Sequence, residues 1–234
     1  MKPLKKNPSE LSVEVGGGGA ATTALVYAAS AHPVGAALVL GHGAGAGQGS
    51  PFMTGFAAAL AALGVDTVTF NFLYTEQRRR IPDRAPALES CYRAAIDAVR
   101  ARVPSARDAL FIGGKSMGGR IATQVAAADA ALPVRGLVLL GYPLHPPGRP
   151  AERRDSHLPA VRRPMLFVQG SRDAFGTPAQ LSPIFEAMTP AASLHEVADG
   201  DHSFKVPRVD AAGQAAVYAN IQQAVVAWVR QHVG

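Results

Sequence analysis

The chain has 234 residues, of which 48% are hydrophobic and 17% charged, enough for one α/β domain with a sizeable core and too apolar for a disordered chain. Its formal net charge of +6 reads as a solubilising, arginine-rich surface, with recognition of an anionic substrate as the sharper alternative; no RNA- or DNA-binding signature accompanies it, so no nucleic-acid partner is expected. The single cysteine, Cys91, excludes an internal disulfide and the two- and four-cysteine zinc motifs.

The opening residues 1–10 carry basic groups without an apolar stretch behind them and read as a flexible tail rather than a signal. "LSVEV" and "TTALVYA" follow as a β-hairpin joined by Gly16 to Gly19. "GAALVLGHG" is a short apolar run closed by glycine, the pattern of a buried strand. Pro51 opens and Gly64 closes a helix in "PFMTGFAAALAALG". The strand "DTVTFNF" precedes the helix "APALESCYRAAIDAVRAR", whose Leu88, Cys91, Ala95 and Val99 share a face, making Cys91 a small core residue. "DALFIGG" reads as strand and "SMGGRIATQVAAA" as helix; "RGLVLLGYP" is again strand, and a polar, proline-rich loop runs from Leu144 to Arg163. "PMLFVQG", "TPAQLSPIFEAM" and "ASLHEV" read as strand, helix and strand, and Tyr218, Ile221, Val225 and Trp228 mark a last helix.

Apolar strands alternating with helices imply a mostly parallel sheet covered on both faces, with an antiparallel edge from the N-terminal hairpin. No linker divides the chain, so residues 1–234 form one domain. No segment is long and apolar enough to span a bilayer; a cytoplasmic protein without a membrane partner is expected, and no residue pattern selects an oligomeric state. Ligand sites of such sheets collect beyond the carboxyl ends of the strands.

The segment "FIGGKSMGGR" (Phe111 to Arg120) suggests two chemistries. A phosphate loop requires glycine five residues before Gly114, where Ala109 stands, and its intervening residues are strand-like. A dinucleotide fingerprint fails in every register of "GHGAGAGQG". The remaining pattern is G-x-S-x-G between a strand and a helix, the context in which a serine sits on a tight, strained turn with small neighbours. Ser116 is therefore the candidate nucleophile.

A serine needs a base and the base an orienting carboxylate, in chain order Ser, Asp or Glu, His on this kind of sheet. His202 in "DGDHSFK" follows the last strand and is the candidate base; His195 lies within a strand, His157 in the charged loop and His232 at the tail of the last helix. Asp173 in "GSRDAFGTP" follows the penultimate strand and is the candidate acid, with Asp199 and Asp201 assigned to shaping the His202 loop. The amide of Met117 is one expected oxyanion donor, and Ala44, or alternatively Gly45, the other. His42 is expected to brace that loop and stands with Tyr142, Leu144 and His145 as a candidate for lining the substrate site. Arg78, Arg79 and Arg80 should rim the pocket, where Arg79 and Arg80 are candidates for binding an anionic substrate, while Arg120 is expected buried and paired. No metal and no cofactor is expected.

With these residues in place, the chain resembles the α/β-hydrolases, in particular the dienelactone-hydrolase-like branch. It is most similar to a group related to a subunit of the nonspecific-lethal histone acetyltransferase complex. "LGHGAGAG", "FNFLYTEQRRRIPD", "GGKSMGGR", "LLGYPLHPPGRP", "FVQGSRDAFGTP" and "DGDHSFK" carry the resemblance across Leu38 to Lys205. It implies the same triad, Ser116, Asp173 and His202, and supplies no substrate; the ordered set of three residues at strand-end loops itself points to a serine hydrolase acting on an ester or similar acyl bond of a small molecule. Dienelactone hydrolases proper use a cysteine nucleophile, so Ser116 separates this chain from ring-lactone specificity. The kinship with a chromatin-complex subunit also raises a non-catalytic binding or scaffold role. The interval Leu144 to Arg163 is too short and polar for the large cap of many relatives.

Overall fold

The computed structural model describes residues 7–30 and 32–234. Eight strands form one sheet: β1 (Ser9–Val15), β2 (Ala20–Tyr27), β3 (Ala37–Gly41), β4 (Asp66–Phe70), β5 (Leu110–Lys115), β6 (Gly136–Leu140), β7 (Met165–Gly170) and β8 (Ser193–Val197). Their order is β1-β2-β4-β3-β5-β6-β7-β8. The first two contacts, β1 with β2 and β2 with β4, are antiparallel, and every later pairing is parallel. The tail expected over residues 1–10 is shorter, because Ser9 and Glu10 already pair with Val26 and Leu25; residues 1–6 lie outside the described residues.

The helices are α1 (Pro51–Ala62), α2 (Leu73–Glu76), α3 (Ala85–Arg102), α4 (Ser105–Asp108), α5 (Met117–Ala128), α6 (Pro178–Glu186) and α7 (Ala211–Gln231). The one-turn helices α2 and α4 were not legible, because four residues cannot show a helical period. Every residue of β3, β6 and β7 is buried, since helices cover both faces of the central strands. Alternating side chains feed two cores. Val39 and Ile112 pack with α3 and α5, while Leu38, Leu40 and Phe111 pack with α1 and α7. Cys91 is fully buried in the first core, and burial pushes its thiol up to about 11, which makes it a packing residue.

The chain steps from β3 outward to β4 and then returns across β3 to β5, so the strand order reverses between β3 and β5. That reversal opens a crevice at the carboxyl ends of these two strands. Glycines allow the crevice to close tightly behind the site. A Cβ on Gly114 or on Gly118 would overlap the carbonyl oxygen of Gly41. The buried Tyr92 of α3 ties the two strands from behind: its hydroxyl donates to the Val39 carbonyl at 3.0 Å and accepts from the Gly113 amide at 2.9 Å. No large cap follows β6; the interval to β7 holds only a 3₁₀ turn at Leu158–Ala160.

Candidate active site

Ser116 stands between the last residue of β5 and the first of α5 with φ 51° and ψ −114°. This is left-handed territory for a side-chain-bearing residue and costs on the order of 1–3 kcal/mol. The turn holds because the Ser116 amide donates to the Leu140 carbonyl at 3.0 Å and the Ser116 carbonyl accepts from Arg120 at 3.1 Å. The strain projects the hydroxyl away from the sheet. Ser116 Oγ lies 2.9 Å from His202 Nε2, and His202 Nδ1 lies 2.8 Å from Asp173 Oδ2. The Asp173 side chain is fully buried, whereas that of His202 is 21% exposed. The three residues arrive from the ends of β5, β7 and β8, so the sheet itself sets their spacing.

The histidine is held on three sides. Phe175 stacks on its ring at a centroid distance of 4.1 Å. Its backbone carbonyl accepts a 2.6 Å hydrogen bond from Lys115 Nζ. Asp201 does not reach its ring; the Asp201 carboxylate accepts from the amides of Ser203 and Lys205 and so shapes the loop. Asp173 has two further donors, Gln169 Nε2 to Oδ2 and the Phe175 amide to Oδ1, both at 2.8 Å.

The loop after β3 passes beside Ser116. The space next to Gly43 is 3.6 Å from Ser116 Cβ, and a turn closes with the Ala46 amide donating to the Gly43 carbonyl at 3.2 Å. Ala44 sits inside that turn and faces the cavity; Gly45, with φ 71°, supplies the positive dihedral and does not line it. Across the cavity, Met117 is the first residue of α5, where helical amides have no partner within the helix. His42 braces the loop from below. Its Nε2 accepts from the Phe72 amide at 3.2 Å, so the proton resides on Nδ1, which donates to the Gly43 carbonyl at 2.8 Å. Burial lowers its pKa, which keeps the ring neutral.

Ser116 and His202 open into a cavity of about 990 Å³. Its walls are largely apolar, with Phe52, Phe56, Leu88, Phe175 and Tyr218, and its charged lining is Lys115, Arg120, Arg154, Lys205 and Asp83. Several expectations need correction here. His42, Tyr142, Leu144 and His145 do not line the cavity. The buried Tyr142 hydroxyl donates to the Arg154 carbonyl at 2.7 Å, buried Leu144 packs at Gly176, and His145 is occupied with the Pro146 carbonyl at 2.9 Å. Arg79 and Arg80 do not line it either, and Arg78 is likewise absent; all three are exposed, and Arg79 is bound to Asp83 at 2.6 Å. Arg120, expected to be paired, lines the cavity without a carboxylate in ion-pair range among the described residues, where its side chain makes one hydrogen bond, a 3.4 Å contact to Gln124.

Sequence reasoning also passed over Gln169, Lys115 and Phe175. Gln169 is fully buried, accepts from the Tyr142 amide and donates to Asp173 and to the Gly176 carbonyl, so it fixes the acid and two loop backbones together. A polar residue at the end of the apolar run "MLFVQG" was the signal available for it. A second network of Gln48, Asn71 and Glu76 fastens the β3 and β4 loops, with the Gln48 amide donating to Asn71 Oδ1 at 2.9 Å and Asn71 Nδ2 donating to Glu76 at 2.9 Å. Burial would raise the pKa of Glu76, but hydrogen bonds from Asn71 and Thr23 outweigh it and hold the carboxyl below its ordinary value.

The α/β-hydrolase domain family matches residues 34–230. The chain belongs to the α/β-hydrolase family. This α/β-hydrolase superimposes on XC6422 from Xanthomonas campestris, an α/β serine hydrolase without a lid, with a TM-score of 0.72 at 22% identity, covering 95% of each chain. It is similar to a dienelactone hydrolase from Anabaena variabilis with a TM-score of 0.73 at 21% identity, covering 97% of this chain and 99% of that one. Est1E from Butyrivibrio proteoclasticus, seen with bound ferulic acid, matches with a TM-score of 0.73 at 12% identity over 95% and 99% of the two chains. At these identities the likeness speaks for the fold, and the hydrolytic class comes with the family. Among the described residues no helix is long and apolar enough to cross a membrane.

Proposed function

We propose that this α/β-hydrolase is a carboxylesterase-like serine hydrolase that cleaves an ester or similar acyl bond of a small molecule through an acyl-enzyme. The observation that carries the reading is the continuous relay from Ser116 Oγ through His202 to Asp173 at 2.9 and 2.8 Å. As Ser116 Oγ attacks the substrate carbonyl carbon, His202 Nε2 takes its proton, and Asp173 stabilises the imidazolium that forms. The amides of Met117 and Ala44 receive the oxyanion. Collapse of the tetrahedral intermediate breaks the bond to the leaving group, which departs with the proton from His202. Water then attacks the acyl-enzyme with His202 again as base, releasing the acid and restoring Ser116. The motifs also resemble those of the group related to a subunit of the nonspecific-lethal complex, a kinship that belongs to this proposal, and the expected setting is the cytoplasm. A fluorophosphonate probe should label the protein at Ser116, and short-chain 4-nitrophenyl esters should be hydrolysed. Labelling that persists in Ser116→Ala, or ester hydrolysis that survives His202→Ala, would refute the reading and favour a binding module on a hydrolase fold.

A further inference from the structure

Four arginines of the surface, Arg79, Arg93, Arg149 and Arg153, have carboxylates within 4.0 Å. The two that line the catalytic cavity, Arg120 and Arg154, have none in that range among the described residues. Both are half-buried, and Arg120 Nε is buried without any hydrogen-bond partner. The local sequence explains the imbalance. Asp155 is taken by Arg153 at 2.6 Å, and Asp83, the acid on the cavity wall, is taken by Arg79 at 2.6 Å. Both line the same cavity, and burial, followed by the like charge of Arg154, lowers the pKa of Arg120, partly offset by the charges of Tyr142 and Glu89. A buried guanidinium N–H left without an acceptor, as Arg120 Nε is, is costly, and a neighbouring cation adds to that cost. An oxyanion placed between the pair removes both penalties and matches the planar donor forks of arginine.

We propose that Arg120 and Arg154 form the acyl-chain anchor of this enzyme and select substrates bearing a carboxylate, that is, hemi-esters of dicarboxylic acids. The inference rests on the serine hydrolase reading above. Arg120 is four residues beyond Ser116 on α5, about 6 Å of helix rise. A chain of a few carbons therefore separates the scissile carbonyl from the carboxylate, and the apolar walls of the cavity suit those methylenes. The anchor is built from α5 and the loop between β6 and β7, not from the exposed Arg78–Arg80 segment that the sequence had suggested.

The test compares 4-nitrophenyl hydrogen adipate with the neutral 4-nitrophenyl methyl adipate. Wild type should favour the acid in kcat/KM by about tenfold or more, and the preference should shrink in high salt. Arg120→Gln and Arg154→Gln should each lower the acid-to-neutral ratio by roughly tenfold, on the scale of one lost charge-assisted hydrogen bond. Arg154→Lys should retain part of the preference, while Arg80→Gln, equal in charge change but outside the cavity, should leave the ratio as in wild type. A ratio near one in wild type, or the same ratio in the two cavity variants as in wild type, overturns the anchor while leaving the esterase reading intact. Absence of turnover of both esters by wild type strikes that reading instead. Fluorophosphonate labelling of Ser116 monitors whether each variant retains its triad, and should Arg120→Gln fail to fold, Arg154→Gln on its surface loop decides the question.

Discussion

Gln169 donates its side-chain N–H to Asp173 Oδ2 at 2.8 Å, the same oxygen that lies 2.8 Å from His202 Nδ1. The orientation of the acid is thereby fixed from the strand side and read out on the histidine side. Gln169→Leu should leave Asp173 one donor short and strand the Tyr142 amide and Gly176 carbonyl, which now use Gln169. Each buried group left unpaired costs about 1–3 kcal/mol, so a stability loss of several kcal/mol is expected in urea titration. A misplaced Asp173 should also lower kcat, by up to about a hundredfold for a displacement near 1 Å. A variant with native kcat and native stability would remove Gln169 from the site.

Asp173→Asn tests the role of the acid separately from its packing. The amide side chain is close in size, and Gln169 can still donate to its oxygen. An NH₂ turned to His202 would instead favour the tautomer with the proton on Nε2, which cannot accept from Ser116. The expected fall in kcat is on the order of 10³–10⁴, the scale known for this substitution in a serine protease. Stopped-assay rates on 4-nitrophenyl acetate, corrected for spontaneous hydrolysis, measure it. A loss below tenfold would argue that Asp173 is dispensable.

The glycines divide sharply into required and replaceable positions. Gly118→Ala would drive a methyl into the Gly41 carbonyl, backbone against backbone in the crevice between β3 and β5. Overpacking of this kind costs about 1–3 kcal/mol or more, and the displaced Gly41 strand end should carry the loop after β3 with it. Gly55, within α1, has nothing within 4 Å of its prospective Cβ and lies exposed. Gly55→Ala should stabilise by roughly 0.5–1 kcal/mol, because alanine restricts the unfolded chain and favours helix. Thermal melts of the two variants should move in opposite directions.

The sequence made the strand ends and the hydrogen-bonded set of Ser116, His202 and Asp173 legible because each rests on a local pattern: an apolar run, a glycine-framed serine, an acid and a histidine in loops after strands. The same logic failed for the cavity wall. Arg79 and Asp83 are four residues apart, and their pairing withdraws Arg79 from the site; only side-chain geometry shows that. Arg120 was expected to be buried and paired, yet Asp83 and Asp155 are bound by Arg79 and Arg153, and Glu89 acts on Arg120 only from beyond ion-pair range. Gln169 reaches Asp173 only four residues on, but nothing in the sequence shows that its side chain turns inward, whereas Lys115 reaches the carbonyl of a residue 87 positions later, which no short motif encodes.

Lys115 carries a pH prediction with a definite sign. Its ammonium, at the end of β5, donates to the His202 carbonyl and lies 5.4 Å from the centre of the Phe204 ring. Burial pushes its pKa down from 10.5 to about 8, partly offset by the charges of Asp173 and Asp201. Below about pH 8 the lysine is protonated in both folded and unfolded chains, and the folded state bears the full cost of the buried charge. Between about 8 and 10.5 the unfolded chain keeps the proton and the folded chain does not, so the folded state gains stability relative to the unfolded one as pH rises. The slope from this one group is at most about 1.4 kcal/mol per pH unit. Other groups titrate over the same range, so the quantity to measure is the difference between wild type and Lys115→Met in urea midpoints at pH 7.5, 9 and 10. That difference should move in favour of wild type as pH increases. The neutral amine still has N–H groups to donate to the His202 carbonyl, so the hydrogen bond need not be lost on deprotonation. Parallel stability curves for the two proteins would show that the Lys115 charge is solvated and that its contact with His202 is held without a burial cost.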